Sequence, residues 1–237
     1  MTRWSLFLAG SLVIVALTVL FAVLTTRAVV RRRETVPADR WGDPTEILGV
    51  TRQALYLNAA GSQGLLLVVV LVIVLVTGVS WHALGYAEEF SLLEAVALGV
   101  GLGVVLTGVN LALQASLDAV GIGYDDSLRE LLTPATTGQW LLLLGVVLPV
   151  VAVFEELLFR GILIGGFEAG FGISPWLLAV GSSIVFALGH GLQGRGGLIA
   201  AFVLGIALAI AFVLSGSLIA VIVAHYVVNT LEFVRYR

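Results

Sequence analysis

The chain contains no cysteine and no lysine, a single methionine and five prolines, and only 11% of its 237 residues are charged. Without cysteine there are no disulfides, no thiolate nucleophile and no Cys-ligated zinc. The scarcity of charge is more decisive. A soluble domain is typically about 25% charged and about 45–50% apolar, whereas this chain is 59% hydrophobic with a mean hydropathy of +1.10. It reads as an integral membrane protein whose surroundings are lipid. Its length suits one compact bundle and leaves no room for a sizeable soluble domain beside it. All twelve basic residues are arginine and the net charge is −3. No basic run is long enough to bind nucleic acid, and Arg31–Arg33 reads as a membrane-flanking stop signal.

Seven apolar runs follow one another, Ser5–Val30, Leu65–Val79, Phe90–Leu117, Trp140–Phe167, Pro175–His190, Leu198–Leu214 and Leu218–Val234. The first is too long for a signal-peptide core and ends in three arginines, so it is expected to be a retained span. The fold expected is all-α, a polytopic membrane helical bundle of about seven transmembrane helices, with six to eight as the range. Residues 1–134 form an N-terminal membrane region of about three spans, with a polar linker at 34–64 that includes an amphipathic stretch, Thr45–Leu57. Residues 135–237 form a core of about four spans, preceded by a polar loop, Asp118–Gln139. If Arg31–Arg33 face the cytoplasm, so do Arg27, Arg40, Arg52, Arg129, Arg195, Arg235 and Arg237, and only Arg3 and Arg160 do not. That gives an outside N-terminus and an inside C-terminus in the cell membrane. Strict alternation, however, puts Glu155 toward the outer end of its helix and His190 toward the inner end of the next. Either the fourth span is shifted and tilted, or a half-span between Gly161 and Ser174 breaks the alternation.

The chemistry concentrates in Phe154-Glu155-Glu156-Leu157-Leu158-Phe159-Arg160. An ionised group at mid-membrane costs about 2.5–3.5 kcal/mol on insertion scales, so three in seven residues must pair or react. Glu156 and Arg160 are four apart with the acid first, the better order for a same-face ion pair. Glu155 is turned about 100° from Glu156 by the helical period, so it stays free to face a cavity. A purely structural ion-pair network needs one acid, not two.

Two of the three histidines lie in or at the end of later apolar runs. Phe186 and His190 close the fifth, and His225 with Asn229 sits in the seventh on one helix face. Glu155 can take a proton from water. His190 can hold that water, and His225 with Asn229 can donate hydrogen bonds to a developing oxyanion. Equally, Glu155, His190 and His225 could ligate a divalent metal such as zinc with an open position. Both chemistries end with water attacking a carbonyl. Phe186 reads as packing beside the site, and Asn110, Gln114 and Glu94 as helix–helix contacts more than cavity lining. His82 beside Trp81 reads as an interfacial residue. Gly99-x-x-x-Gly103 and Gly161-x-x-x-Gly165 read as close-packing faces.

Glu-Glu-x-x-x-Arg (Glu155, Glu156, Arg160), Phe-x-x-x-His (Phe186, His190) and His-x-x-x-Asn (His225, Asn229), in that order on membrane helices, resemble the CPBP (Abi) family of intramembrane proteases. That family includes the type II CAAX prenyl endopeptidases and bacteriocin-processing or immunity proteins. The resemblance covers about Leu141–Val234. It implies hydrolysis of a peptide bond in a membrane-anchored or prenylated protein or peptide, with Glu155, His190, His225 and Asn229 catalytic and Glu156, Arg160 and Phe186 supporting. Both metal-dependent and metal-free mechanisms are argued for the family. The rival readings are a non-catalytic immunity or scaffold protein of the same fold and a proton-coupled transporter. The transporter predicts internal repeats, which the sequence does not display.

Overall fold

The computed structural model describes residues 2–37, 44–86 and 90–235. Arg40 and Arg237, counted above among the inner arginines, lie outside the described residues, as do Asp39 and Asp43 of the linker. Nine helices and no strand occur among the described residues. They are α1 (Trp4–Arg33), α2 (Pro44–Leu48), α3 (Arg52–Thr77), α4 (Leu92–Ala119), α5 (Ser127–Leu132), α6 (Thr137–Phe171), α7 (Pro175–Leu188), α8 (Gly194–Ser215) and α9 (Leu218–Arg235). Six of them, α1, α3, α4, α6, α8 and α9, are long and apolar enough to cross a membrane, so the protein is a multi-pass membrane bundle. The expected fifth span falls short. α7 has 14 residues, about 21 Å at 1.5 Å per residue against a hydrocarbon core of about 30 Å.

Two sequence boundaries are corrected. The second span begins at Arg52, not Leu65, because Thr51 caps α3 by accepting from the Ala54 amide (3.2 Å) and nothing breaks the helix through Asn58, Ser62 and Gln63. The polar stretch Asp118–Gln139 is not loop throughout. Its helix α5 folds back onto the end of the bundle, where Leu131 and Pro134 are buried. There Arg52 Nε donates to the Leu131 carbonyl (2.9 Å), and the Tyr56 hydroxyl donates to that of Leu132 (2.6 Å).

Helix ends gather at two levels. At one, the Arg3 amide donates to the Thr77 carbonyl (2.8 Å) and the Leu218 amide to that of Gly85 (2.8 Å), while Trp4 meets Phe171 edge to face. At the other, the Asp125 amide donates to the Gln193 carbonyl (3.0 Å). α4 and α9 run parallel and share the most extensive helix–helix contact among the described residues. A Cβ on Gly99 would lie 2.6 Å from the Ala220 carbonyl oxygen, and one on Gly103 would lie 2.6 Å from Val227 Cβ. The two glycines therefore do form a close-packing face, as their spacing predicts. Gly165 does the same against the Ala83 carbonyl, at 2.3 Å.

α6 is the axis of the fold. Its 35 residues span about 52 Å at 1.5 Å per residue, well beyond the hydrocarbon thickness, so it tilts or projects. Two π-helical stretches widen it, Leu143–Val147 and Leu157–Gly166. The first ends just before Pro149, whose ring would collide with the Gly145 carbonyl in a regular α-turn. No half-span interrupts α6 between Gly161 and Phe171. The chain reverses at 172–174, where Gly172 takes φ 65°, and enters α7 at Pro175. The depth conflict thereby disappears. From that turn, Glu155 lies about 24 Å back along α6 and His190 about 22 Å forward past α7, at 1.5 Å per residue. A short α7 and a long α6 bring them level.

Candidate active site

Six of the seven motif residues, Glu155, Glu156, Arg160, Phe186, His190 and His225, are linked by contacts where α6, α7, α8 and α9 meet. Glu156 and Arg160 are wholly buried, and their ion pair is formed, with NH1 donating to Oε1 at 2.8 Å. The guanidinium also donates through NH2 to the Gly205 carbonyl of α8 (2.9 Å). Its Cζ lies 4.9 Å from the centre of the Phe186 ring, within cation–π range. Arg160 thus ties α6 to both α7 and α8.

Glu156 does more than its sequence position suggests. Its Oε1 also lies 2.6 Å from His225 Nδ1, across 69 residues of chain. A carboxylate already paired with Arg160 acts as acceptor, so the His225 ring donates from Nδ1 and turns Nε2 the other way. Nε2 lies 3.6 Å from Glu155 Oε2, beyond a direct hydrogen bond but close enough for charge interaction. The two adjacent acids therefore take opposite sides of one imidazole. Glu156 is sealed from solvent, whereas the Glu155 side chain keeps 15% of its surface accessible. Spacing along α6 gives Glu156 only its ion-pair partner, Arg160. The structure adds its hold on His225, which no spacing rule could reveal because the contact is made between helices.

Phe186 is the hub of the aromatic packing. Its ring centre lies 4.5 Å from that of His190, 5.2 Å from Phe159 and 6.0 Å from His225, the last two edge to face. His190 follows the end of α7, and its Nδ1 lies 2.9 Å from the Phe186 carbonyl oxygen. The carbonyl can only accept, so the proton sits on Nδ1 and Nε2 is left with a lone pair. Asn229 is half-buried one turn beyond His225 on α9.

Among the described residues, no group of three or more histidine, aspartate or glutamate side chains is placed to hold a metal ion. Glu155, His190 and His225 do not form such a set, and His225 Nδ1 is already engaged by Glu156. These side chains do not fit a three-ligand metal, and the chemistry below is derived without one.

The remaining polar residues separate by role. Asn110 donates to Glu232 across the α4–α9 interface, a helix–helix contact as expected. Glu94 is exposed in a capping box with Ser91 at the start of α4. His82 is exposed in a short turn, Leu84 beside it being buried. Glu232 and Arg129 escaped the sequence reading. The only available signal was that Glu232 falls on the helix face of His225 and Asn229, seven residues past His225.

No curated protein and no solved structure matches the chain. A family model does match, and it covers the stretch that carries all three motifs, from the start of α6 to the last turns of α9. Residues 137–231 match the family described as Type II CAAX prenyl endopeptidase Rce1-like.

Proposed function

We propose that the protein is an intramembrane endopeptidase that hydrolyses a peptide bond of a membrane-associated substrate. The carrying observation is the placement of His225 between two carboxylates, one buried and neutralised, the other accessible. Glu156, held by Arg160, sets the orientation of the ring. Glu155 is then the acid left to react, and it serves as general base on a water held between it and the Nε2 lone pair of His190.

As the water oxygen bonds to the scissile carbonyl carbon, its proton passes to Glu155. The Asn229 amide donates to the oxygen that acquires charge, joined by His225 when Nε2 carries a proton. Glu155 returns its proton to the departing amine nitrogen as the C–N bond breaks, and a carboxylic acid and an amine leave. General acid–base catalysis of this kind contributes about 10²–10⁴ in rate, and each well-placed oxyanion donor about 10²–10³. The family match favours prenylated C-terminal tails as the substrate class. The arginine pattern favours an outside N-terminus in the cell membrane.

The test is cleavage of prenylated and unprenylated membrane-anchored peptides by wild type and Glu155→Gln in lipid nanodiscs, with and without a strong chelator. Wild type is expected to cut the prenylated set, and the variant to lose about 10²–10⁴ in kcat at unchanged melting temperature. Activity is expected to persist with chelator. Full activity in Glu155→Gln would refute the assignment, and a chelator-sensitive wild type would refute the metal-free route.

A further inference from the structure

Beyond the motif residues, a second polar cluster links the structure that carries His190 to the helix that carries His225. It centres on Arg129 of α5, which is buried (8% accessible) although its helix follows a polar stretch of sequence. Its NH2 group donates to Glu232 Oε2 on α9 (2.6 Å) and to the Tyr124 hydroxyl (2.9 Å). NH1 donates to Asp126 (3.0 Å). The Tyr124 hydroxyl in turn donates to Gln193 Oε1 at 2.7 Å. Gln193 belongs to the turn that begins at His190, and its amide donates to the His190 carbonyl at 3.0 Å. The turn is gripped by backbone as well, through the amides of Asp125 to the Gln193 carbonyl (3.0 Å) and Gly196 to the Gly123 carbonyl (3.2 Å). The second contact needs glycine, since a Cβ on Gly196 would lie 2.8 Å from that oxygen.

We propose that Arg129 and Glu232 are positioning residues that fix the separation of His190 from His225, acting through Tyr124 and Gln193. Glu232 lies seven residues past His225 on the same face of α9. Asn110 holds its other oxygen from α4. The chain of contacts from Glu232 through Arg129, Tyr124 and Gln193 to His190 therefore closes a ring with the catalytic layer. α7 is short and ends before His190, so the turn depends on this brace.

The activity arm of the test rests on the proposed hydrolytic reading, and a second arm is independent of it. With only three histidines in the chain, isotope-labelled histidine gives three ring signals assignable by single substitution. Tyr124→Phe and Glu232→Gln are expected to shift the His190 signal and leave His82 unmoved. They should lower kcat by about tenfold to a hundredfold, the range expected for a reacting group displaced by about 1 Å, with KM little changed. Glu232→Asp should recover part of the loss. An unmoved His190 signal in both variants overturns the proposal, as does a loss of activity that only follows loss of folded protein. If wild type cuts no peptide at all, the His190 shift alone decides, and the hydrolytic reading fails separately. Tyr124→Phe removes one half-buried hydroxyl, so the arm survives if Glu232→Gln does not fold.

Discussion

His225 Nδ1 and Glu156 Oε1 lie 2.6 Å apart across 69 residues of sequence. This contact turns two neighbouring glutamates into groups of different kind. One is spent on Arg160 and the imidazole, and the other is left beside Nε2 and partly accessible. Adjacent residues on a helix are separated by about 100°, and that rotation lets Glu156 face the sealed interior while Glu155 faces the accessible side of the imidazole.

The Glu156–Arg160 pair is wholly buried, so removing one partner strands a charge. Arg160→Met is expected to destabilise the protein by about 3–5 kcal/mol, read as a drop in melting temperature in nanodiscs. Adding Glu156→Gln to it should recover much of that stability while leaving activity low, because His225 then loses its carboxylate. Equal stability of wild type and Arg160→Met would show that the pair is not held as described.

Phe186 separates packing from orientation. Its ring contacts Phe159, Arg160, His190 and His225 at once. Phe186→Ala leaves a cavity worth about 3–5 kcal/mol in a core position. Phe186→Tyr keeps the ring and should cost far less in both stability and turnover. Thermal melting paired with a peptide-cleavage assay checks this. Similar behaviour of the two variants would count against the ring as the element aligning both histidines.

Gly103 tests whether α4 sets the position of α9. A methyl there would lie 2.6 Å from Val227 Cβ and 2.9 Å from the Ala224 carbonyl oxygen, and backbone cannot yield as a side-chain tip can. Gly103→Ala is expected to cost about 1–3 kcal/mol, as overpacking does, and to displace His225, which follows Ala224. Gly101→Ala is the control, since a Cβ there meets nothing within 4 Å. Reduced activity and melting temperature in the first and not the second would bear out the close face.

Much of this protein is determined by its sequence alone. Membrane residence follows from composition, because 11% charged residues cannot coat a soluble surface. The helical spans follow from apolar runs, since only helices and closed barrels satisfy their backbone in lipid. The Glu156–Arg160 pair is a four-residue relationship, and the Gly99–Gly103 face is legible in the same way. These are local facts, decided by the helical period.

Tertiary structure decided what spacing could not. The first turns of α3 are anchored by Arg52 and Tyr56, which bind the carbonyls of α5, 79 and 76 residues away. Arg129 is buried within a polar stretch because Glu232, 103 residues on, accepts its charge. Glu155 and His190 come level only because a long π-widened α6 turns at Gly172 into a short α7. Which of two adjacent acids is held buried and which is left partly accessible depends on where one histidine on a distant helix places its two nitrogens, and that arrangement exists only once the bundle has packed.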